Sequence, residues 1–200
     1  MTSTFDAHEN GNPVYEYKAS LAGGLCRFEL EPHTLHWQVG RRGGRVRYDR
    51  LRAIRLSYRP VTMQSHRFVA EIWPAGESKI QIASVSWRSM MDQQRLDAAY
   101  VAFIAELHRR LAAAGAATQL STGLPVVTYW IGVAVFAAVL FATASLAIRA
   151  ARSAQWSTSA VVGLFFAVFA WQIGQFFYRN RPGRYRPDAI PAAVMPKPGD

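Results

Sequence analysis

The chain has 200 residues, of which 50% are hydrophobic, 12% aromatic and 18% charged. So apolar a composition excludes disorder for most of the chain, because this much apolar surface buries itself. Cys26 is the only cysteine, which excludes a disulfide-stapled secreted scaffold. The formal net charge is +10, and where the charges lie is more informative than their sum.

The N-terminal part of the chain has the pattern of a β-rich domain. Residues 1–12 are polar without periodicity, and we interpret them as a flexible tail. From Val14, runs of β-forming residues are separated by Gly and Pro, which predicts seven strands. The predicted strands cover residues 14–21, 25–31, 34–39, 45–48, 53–58, 67–73 and 79–85.

The apolar period then changes from that of a strand to that of a helix. One stripe at steps of four, three, four and four is formed by Leu96, Tyr100, Phe103, Leu107 and Leu111. Asp92 is placed to cap the start of this helix, and Gly115 to end it. Together these elements predict an α+β domain over residues 13–114, an open barrel or bent sheet closed by a C-terminal helix.

This order of elements resembles the bacterial pleckstrin-homology-like domains found on small membrane proteins. The segment from Tyr48 to Leu56, YDRLRAIRL, is similar to the family's approach to its middle strands. The helix ending in Phe103–Leu107, FIAEL, is similar to its closing helix. The resemblance implies a seven-stranded fold with a capping helix and a role in binding rather than catalysis. No residue match carries over the phosphoinositide specificity of the eukaryotic members.

Two long stretches without Asp, Glu, Lys or Arg follow the domain, at residues 111–148 and 153–178. They predict transmembrane helices over 124–148 and 156–178, after a linker at 115–123. The loop between them, 149–155, is too short for a domain, so the two spans form an all-α hairpin. Tyr129, Trp130, Trp156 and Tyr178 lie near the span ends, where aromatic rings favour the headgroup zone.

The distribution of arginines around the hairpin predicts its orientation. The loop has Arg149 and Arg152, whereas the flanks at the chain ends have six arginines. Those six are Arg109, Arg110, Arg179, Arg181, Arg184 and Arg186. The asymmetry predicts that both termini are in the cytoplasm. With the resemblance to bacterial domains, we expect the bacterial inner membrane. Residues 179–200 hold five of the prolines, and we interpret them as a basic, disordered tail near the headgroups.

Motifs of enzymes are missing from the sequence. There is no phosphate-binding glycine loop, no paired cysteines and no zinc-protease motif. His33 and His36 are three apart, so a strand places them on opposite faces. We therefore predict no catalytic residue, cofactor or metal.

An arginine cluster is the most specific feature of the domain. Between Arg41 and Arg59 the only acidic residue is Asp49. The candidate surface for a lipid or a partner comprises Arg41, Arg42, Arg45, Arg47, Arg50, Arg52 and Arg55. Three interpretations remain open: a solvated strand face, a patch on the anionic headgroups of the inner leaflet, and a surface for an acidic protein. Nucleic acid is not expected, since no binding motif accompanies the cluster.

Small residues form stripes along both predicted spans. The first comprises Ala134, Ala138 and Ala142, and the second Ser159, Gly163, Ala167, Ala170 and Gly174. We interpret the stripes as helix-packing surfaces, between the two spans or against another membrane protein. The sequence thus predicts a non-catalytic membrane protein whose cytoplasmic domain binds a protein or an anionic lipid surface. The alternative is an accessory subunit of a membrane enzyme or transport complex, acting through its helices.

Overall fold

The computed structural model describes residues 11–20, 23–60, 66–89, 92–152 and 156–196. The fold is mixed α+β, with several sheets and three helices. The strands are β1 Val14–Lys18, β2 Leu25–Leu30, β3 Thr34–Val39, β4 Arg42–Arg47, β5 Leu51–Pro60, β6 His66–Pro74, β7 Ile80–Ala83, β8 Val85–Trp87, β9 Gln93–Arg95, β10 Gln119–Thr122 and β11 Gly183–Arg184. The helices are α1 Asp97–Ala113, α2 Val126–Arg152 and α3 Trp156–Arg179. The predicted N-terminal tail lies almost entirely outside the described residues.

The first sheet is an antiparallel meander of β1, β2, β3 and β4. Alternate residues of β2 face the core, so Cys26, Phe28 and Leu30 are all buried. Strands β3 and β4 are joined by the two residues Gly40 and Arg41. Gly40 has a φ of +60°, which such tight hairpin turns require at their first position and which glycine adopts without strain.

The second sheet has the strand order β11-β10-β5-β6-β7. Its inner face contributes Ile54 and Leu56 of β5, Ile72 of β6 and Ile82 of β7, none of which is accessible to solvent. The predicted strands thus each have a counterpart among β1 to β7. Strands β8 to β11 were not predicted, because they are two to four residues long and too short to show a period.

Helix α1 covers the core with the predicted stripe. Tyr100, Phe103 and Leu107 are fully buried, as the spacing indicated. Gly115, at φ +61°, ends the helix. Its N–H donates to the Ala112 carbonyl, and the Ala116 N–H donates to the Leu111 carbonyl. The capping prediction for Asp92 is wrong. Leu96 precedes the helix without a side-chain cap, and Asp92 lies instead in the turn between β8 and β9.

The chain after α3 returns to the domain, which corrects two predictions. The expected linker contains β10, which pairs in parallel with β5, and the expected disordered tail contains β11, which pairs with β10. Val194, only 1% exposed, is part of the same core, and Tyr185, Ile190 and Met195 pack against it. These apolar side chains pack in or against the core, and their burial stabilises an ordered conformation of residues 183–196 despite the prolines.

A side-chain hydrogen bond also joins α1 to the chain that follows α3. The His108 imidazole on α1 lies with Nδ1 2.7 Å from the Ile104 carbonyl and Nε2 2.8 Å from the Tyr185 hydroxyl. A carbonyl only accepts, so neutral His108 donates through Nδ1 and accepts the Tyr185 proton at Nε2. Burial lowers the pKa of His108, which favours this neutral form.

The chain divides into two compact units. One comprises residues 1–123 and 183–200 and contains both sheets and α1, and the other comprises 124–182 and contains α2 and α3. Among the described residues one helical segment, Val126–Arg149, is long and apolar enough to cross a membrane. In the second unit α2 and α3 pack on each other, with the Phe177 ring 5.7 Å from those of Tyr129 and Phe136.

Candidate functional site

The seven arginines of the candidate surface fall into three environments. Arg45 and Arg47 lie on the outward face of β4, on either side of buried Val46. Arg45 pairs with Glu31 at 3.0 Å, and Arg47 pairs with Asp49 at 2.8 Å. Each of these arginines is more than half exposed, so the pairs are surface ion pairs of small energy, and a neighbouring carboxylate offsets each charge.

Arg55 belongs to a different group, on the outer face of the second sheet. Its guanidinium lies 5.0 Å from the centre of the Trp73 ring and 3.9 Å from the Glu71 carboxylate. The same carboxylate also accepts from Arg59 at 3.0 Å and from Lys79 at 2.7 Å. Burial alone would raise the pKa of Glu71, but its hydrogen bonds with Lys79 and Gln81 and the charge of Arg59 hold that pKa below the ordinary value.

The remaining four arginines are the exposed, unneutralised ones. Arg41, Arg42, Arg50 and Arg52 make no ion pair with any residue that the structure describes. Arg41 and Arg42 belong to the β3–β4 hairpin. Arg50 lies beside the turn after β6, since its carbonyl accepts from the Ala75 N–H at 2.9 Å. The uncompensated positive charge of the cluster therefore belongs to these four side chains.

A cavity of about 860 Å³ lies between the β3–β4 hairpin and the turn that joins β6 to β7. Its wall includes Cys26, Trp37 and Val39 from the first sheet and Ile80 from the second. Arg41, Arg42 and Lys79 also border it, as does the carboxylate of Glu77. An apolar wall with a few charged groups at its border is typical of a small-molecule site.

Two glycines of β4 allow Trp37 of the cavity wall to lie close to that strand. A Cβ on Gly44 would lie 3.1 Å from the Trp37 indole nitrogen, and one on Gly43 would lie 3.0 Å from the Trp37 carbonyl. Trp37 therefore packs directly against glycine backbone. Its indole N–H is buried and has no acceptor among the described residues.

The other polar groups of the cavity wall are uncharged at neutral pH. Burial raises the pKa of the Cys26 thiol and, much further, that of the Tyr17 phenol. The Tyr17 hydroxyl donates to the Gln81 carbonyl at 2.7 Å, which ties β1 to β7. The cavity thus combines neutral walls with three cations and one carboxylate at its border. This arrangement can bind an anion that carries an apolar group, and its thiol and phenol are poor nucleophiles.

Most of the described members of the predicted small-residue stripes lie away from the contact between α2 and α3. Ala134, Ala138 and Ala142 are exposed, and so is Ala167. A Cβ on Gly163 or Gly174 would meet nothing within 4 Å. Ala170 is half-buried, and the side chain of Ser159 lies outside what the structure describes. The close approach is instead at Gly132, where a Cβ would lie 3.0 Å from the Phe177 ring.

This difference predicts opposite outcomes for two glycine substitutions. Gly132→Leu should push the helices apart and lower the thermal midpoint of the second unit, since its Cβ has no space beside Phe177. Gly163→Leu, the matched control, should leave the midpoint within a few degrees. The measurement is near-UV circular dichroism of the full chain in non-ionic detergent during heating. Equal shifts in the two variants would contradict this packing.

Several residues of the site were not predicted. Trp37, Gly43 and Gly44 had been assigned only to strands and a turn, and Glu71 and Lys79 only to strands. The cue was the pair of glycines inside a strand, a position where glycine weakens a sheet and marks a close approach. The sequence does not show which groups lie against these glycines, because that depends on how the sheets pack.

In the part of the chain that the structure describes, no three His, Cys, Asp or Glu side chains form a group that could hold a metal ion. His33 is exposed in the turn before β3, and His36 is half-buried on that strand. No family model, curated protein or solved structure matches this chain.

Proposed function

We propose that this chain is a non-catalytic membrane protein in which α2 and α3 form a transmembrane hairpin that tethers the first unit. Support comes from the way the chain leaves and re-enters that unit. Thr122 and Gly183 are direct partners in the pairing of β10 with β11. The 124–182 segment therefore starts and finishes at one place in the domain, as an out-and-back hairpin requires. Helix α2 has the length and composition of a span, and α3 has no Asp, Glu, Lys or Arg before Arg179.

The orientation of the hairpin follows from the arginine asymmetry. Arg181 follows α3, Arg184 is in β11 and Arg186 comes just after it, whereas the other ends of the helices have only Arg149 and Arg152, at the end of α2. Positively charged flanks stay on the cytoplasmic side. We therefore place the domain and both termini in the cytoplasm, at the inner membrane of a bacterium.

The architecture of the tethered domain fits a pleckstrin-homology-like module. A four-stranded meander and the β5–β6–β7 sheet share one core, and α1 closes it. Strands β10 and β11 would be additions of this chain to that plan, extending the second sheet beside β5. Modules of this kind act by binding, which agrees with the absence of enzyme motifs from the sequence.

The function of the domain is to bind an anionic partner at its arginine-rich end. Four exposed arginines there lack carboxylate neighbours among the described residues, and this observation carries the proposal. The turn after β6 lies beside the first residue of β5, whereas the chain leaves beside Leu56, whose carbonyl accepts from the Gly123 N–H. Leu51 and Leu56 are five positions apart along β5, which is about 17 Å. Within the first unit, the start of β5 is thus separated from the point where the chain leaves that unit. The partner that we propose is an anionic molecule in the cytoplasm.

Site-specific photo-crosslinking in living cells tests this proposal. A photoreactive residue replaces Ser78, which is exposed in the turn after β6, and Gln119 at the exposed start of β10 is the control position. We expect a non-lipid adduct from position 78, lost when Arg41, Arg42, Arg50 and Arg52 are changed to Glu. A lipid adduct at position 78 would assign the surface to the membrane. An adduct that survives the charge reversal would contradict the proposal.

A second candidate, an accessory subunit that assembles through its helices, has one observation in its favour. The packing of α2 on α3 leaves the alanines of the first stripe exposed, so a helix of another protein could approach them closely. Ala138→Leu should then dissociate such a complex on native gels, without affecting the crosslink from position 78.

A further inference from the structure

The cavity between the β3–β4 hairpin and the turn that joins β6 to β7 is an open groove lined by residues of both sheets. Cys26 and Val39 are direct neighbours across β2 and β3, and Trp37 is paired with Gly44. Its volume of about 860 Å³ lies within the range of small-molecule sites, roughly 300–1,000 Å³. Gly44 leaves room for the Trp37 ring, which forms part of the wall on the side of β4.

The charges around the cavity are unevenly distributed. Arg42 lies on the same side of β4 as Gly44 and buried Val46, since alternate residues of a strand share a face. Arg41 adjoins it in the turn. Lys79 forms an ion pair with Glu71, and Glu77 contributes a negative charge at the border of the cavity. Arg41 and Arg42 are therefore the bordering cations without a carboxylate partner among the described residues.

We propose that this cavity binds a small amphipathic anion, with an apolar group against Trp37, Val39 and Ile80 and a carboxylate or phosphate at Arg41 and Arg42. Guanidinium groups match the planar geometry of a carboxylate or the oxygens of a phosphate. An apolar group that packs against the wall removes apolar surface from water and so adds to the binding free energy. An inorganic ion has no such group. The inference rests on the proposed function, because it names the chemical class that the arginine-rich end takes.

Binding to the full-length chain in nanodiscs of zwitterionic lipid tests the proposal. The probes are hexyl phosphate, which has tail and charge, hexanol, which has the tail, and inorganic phosphate, which has the charge. Equilibrium dialysis against empty nanodiscs corrects for partition into lipid. We expect hexyl phosphate to bind at least tenfold more tightly than either of the others. Equal binding of hexyl phosphate and hexanol, or no binding of hexyl phosphate above that of phosphate, would overturn the proposal.

A matched pair of charge reversals locates the bound anion. Arg42→Glu should weaken hexyl phosphate binding at least tenfold, because it places a carboxylate on the cavity side of β4. Arg88→Glu makes the same change at an exposed position that does not border the cavity, and should leave binding unchanged. Equal losses in the two variants would mean that net charge alone attracts the anion, and would overturn the site.

The only thiol of the chain reports the position independently. Cys26 is in the cavity wall and 1% exposed, so hexyl phosphate should slow its reaction with a small neutral thiol reagent severalfold. Nanodiscs with anionic lipid, without added probe, distinguish the source: slowing there assigns the anion to lipid, and its absence to a soluble molecule. Failure of hexyl phosphate to bind while the position-78 crosslink persists would reject the cavity and retain the tethered binding domain.

Discussion

Val194→Asp should unfold the tethered domain at markedly lower denaturant concentration than the unmodified chain. Val194 is 1% exposed and belongs to the core formed by both sheets and α1. The substitution removes a buried valine and forces a carboxylate into apolar surroundings, which costs about 3 kcal/mol of unfolding free energy. The measurement is pulse proteolysis in urea of the full chain in non-ionic detergent.

The same turn provides the control for this experiment. Ala193→Asp introduces the identical charge one residue earlier, where the side chain is exposed, and should change the unfolding free energy by less than about 0.5 kcal/mol. Similar losses in both variants would show that residues 183–196 do not contribute to the core. A fragment that stops at Gly123 should be destabilised in the same direction, because it lacks β11 and Val194 altogether.

Much of the first unit could be predicted because its elements are long enough to show a period. The alternation of Cys26, Phe28 and Leu30 and the helical spacing of Tyr100, Phe103 and Leu107 both reflect one buried face. Gly115 was informative for a local reason, since a helix that ends in the left-handed region favours glycine whatever surrounds it. Each of these signals comes from residues that lie close together in the sequence.

The return of the tail could not be predicted, because its signal is not local. Strand β11 has two residues, and Val194 is one apolar residue among prolines. Their burial depends on a partner, β10, that lies 60 residues earlier in the chain and is itself four residues long. The cavity was missed for a related reason. Its walls come from five strands, and only the packing of the two sheets brings Trp37 near Ile80.

The helix stripes show the limit of spacing arguments in an apolar segment. Small residues at steps of three and four occur on more than one side of α2 and α3, and the contact uses Gly132 with the Phe177 ring. Spacing identifies the faces on which close approach is allowed. Which of them is used depends on the bulky partner, here an aromatic side chain that needs a glycine opposite.

Glu71→Gln should lower the stability of the domain and, at the same time, tighten binding of hexyl phosphate in the cavity. The Glu71 side chain is 5% exposed, whereas Arg59 and Lys79 beside it are 40% exposed and can turn to water when the charge is lost. We therefore expect a loss of about 1–2 kcal/mol, less than for a fully buried pair. Because the pKa of Glu71 is lowered in the fold, its contribution is present above the pKa of the unfolded chain. It is lost as the pH falls through the folded pKa, which lies below the ordinary value of a glutamate.

The gain in binding follows from the position of Lys79, which contacts Glu71 and also borders the cavity. In a water-like dielectric, a unit charge more than 4 Å from a bound phosphate contributes less than about 1 kcal/mol, so we expect no more than a two- to fourfold lower Kd. Glu16→Gln, which breaks an exposed pair with Arg27 that does not border the cavity, should change neither quantity by a comparable amount. Dialysis and urea titration of the same preparations measure both. A loss of stability with unchanged Kd would mean that Lys79 is not part of the anion site and that Arg41 and Arg42 hold the phosphate alone.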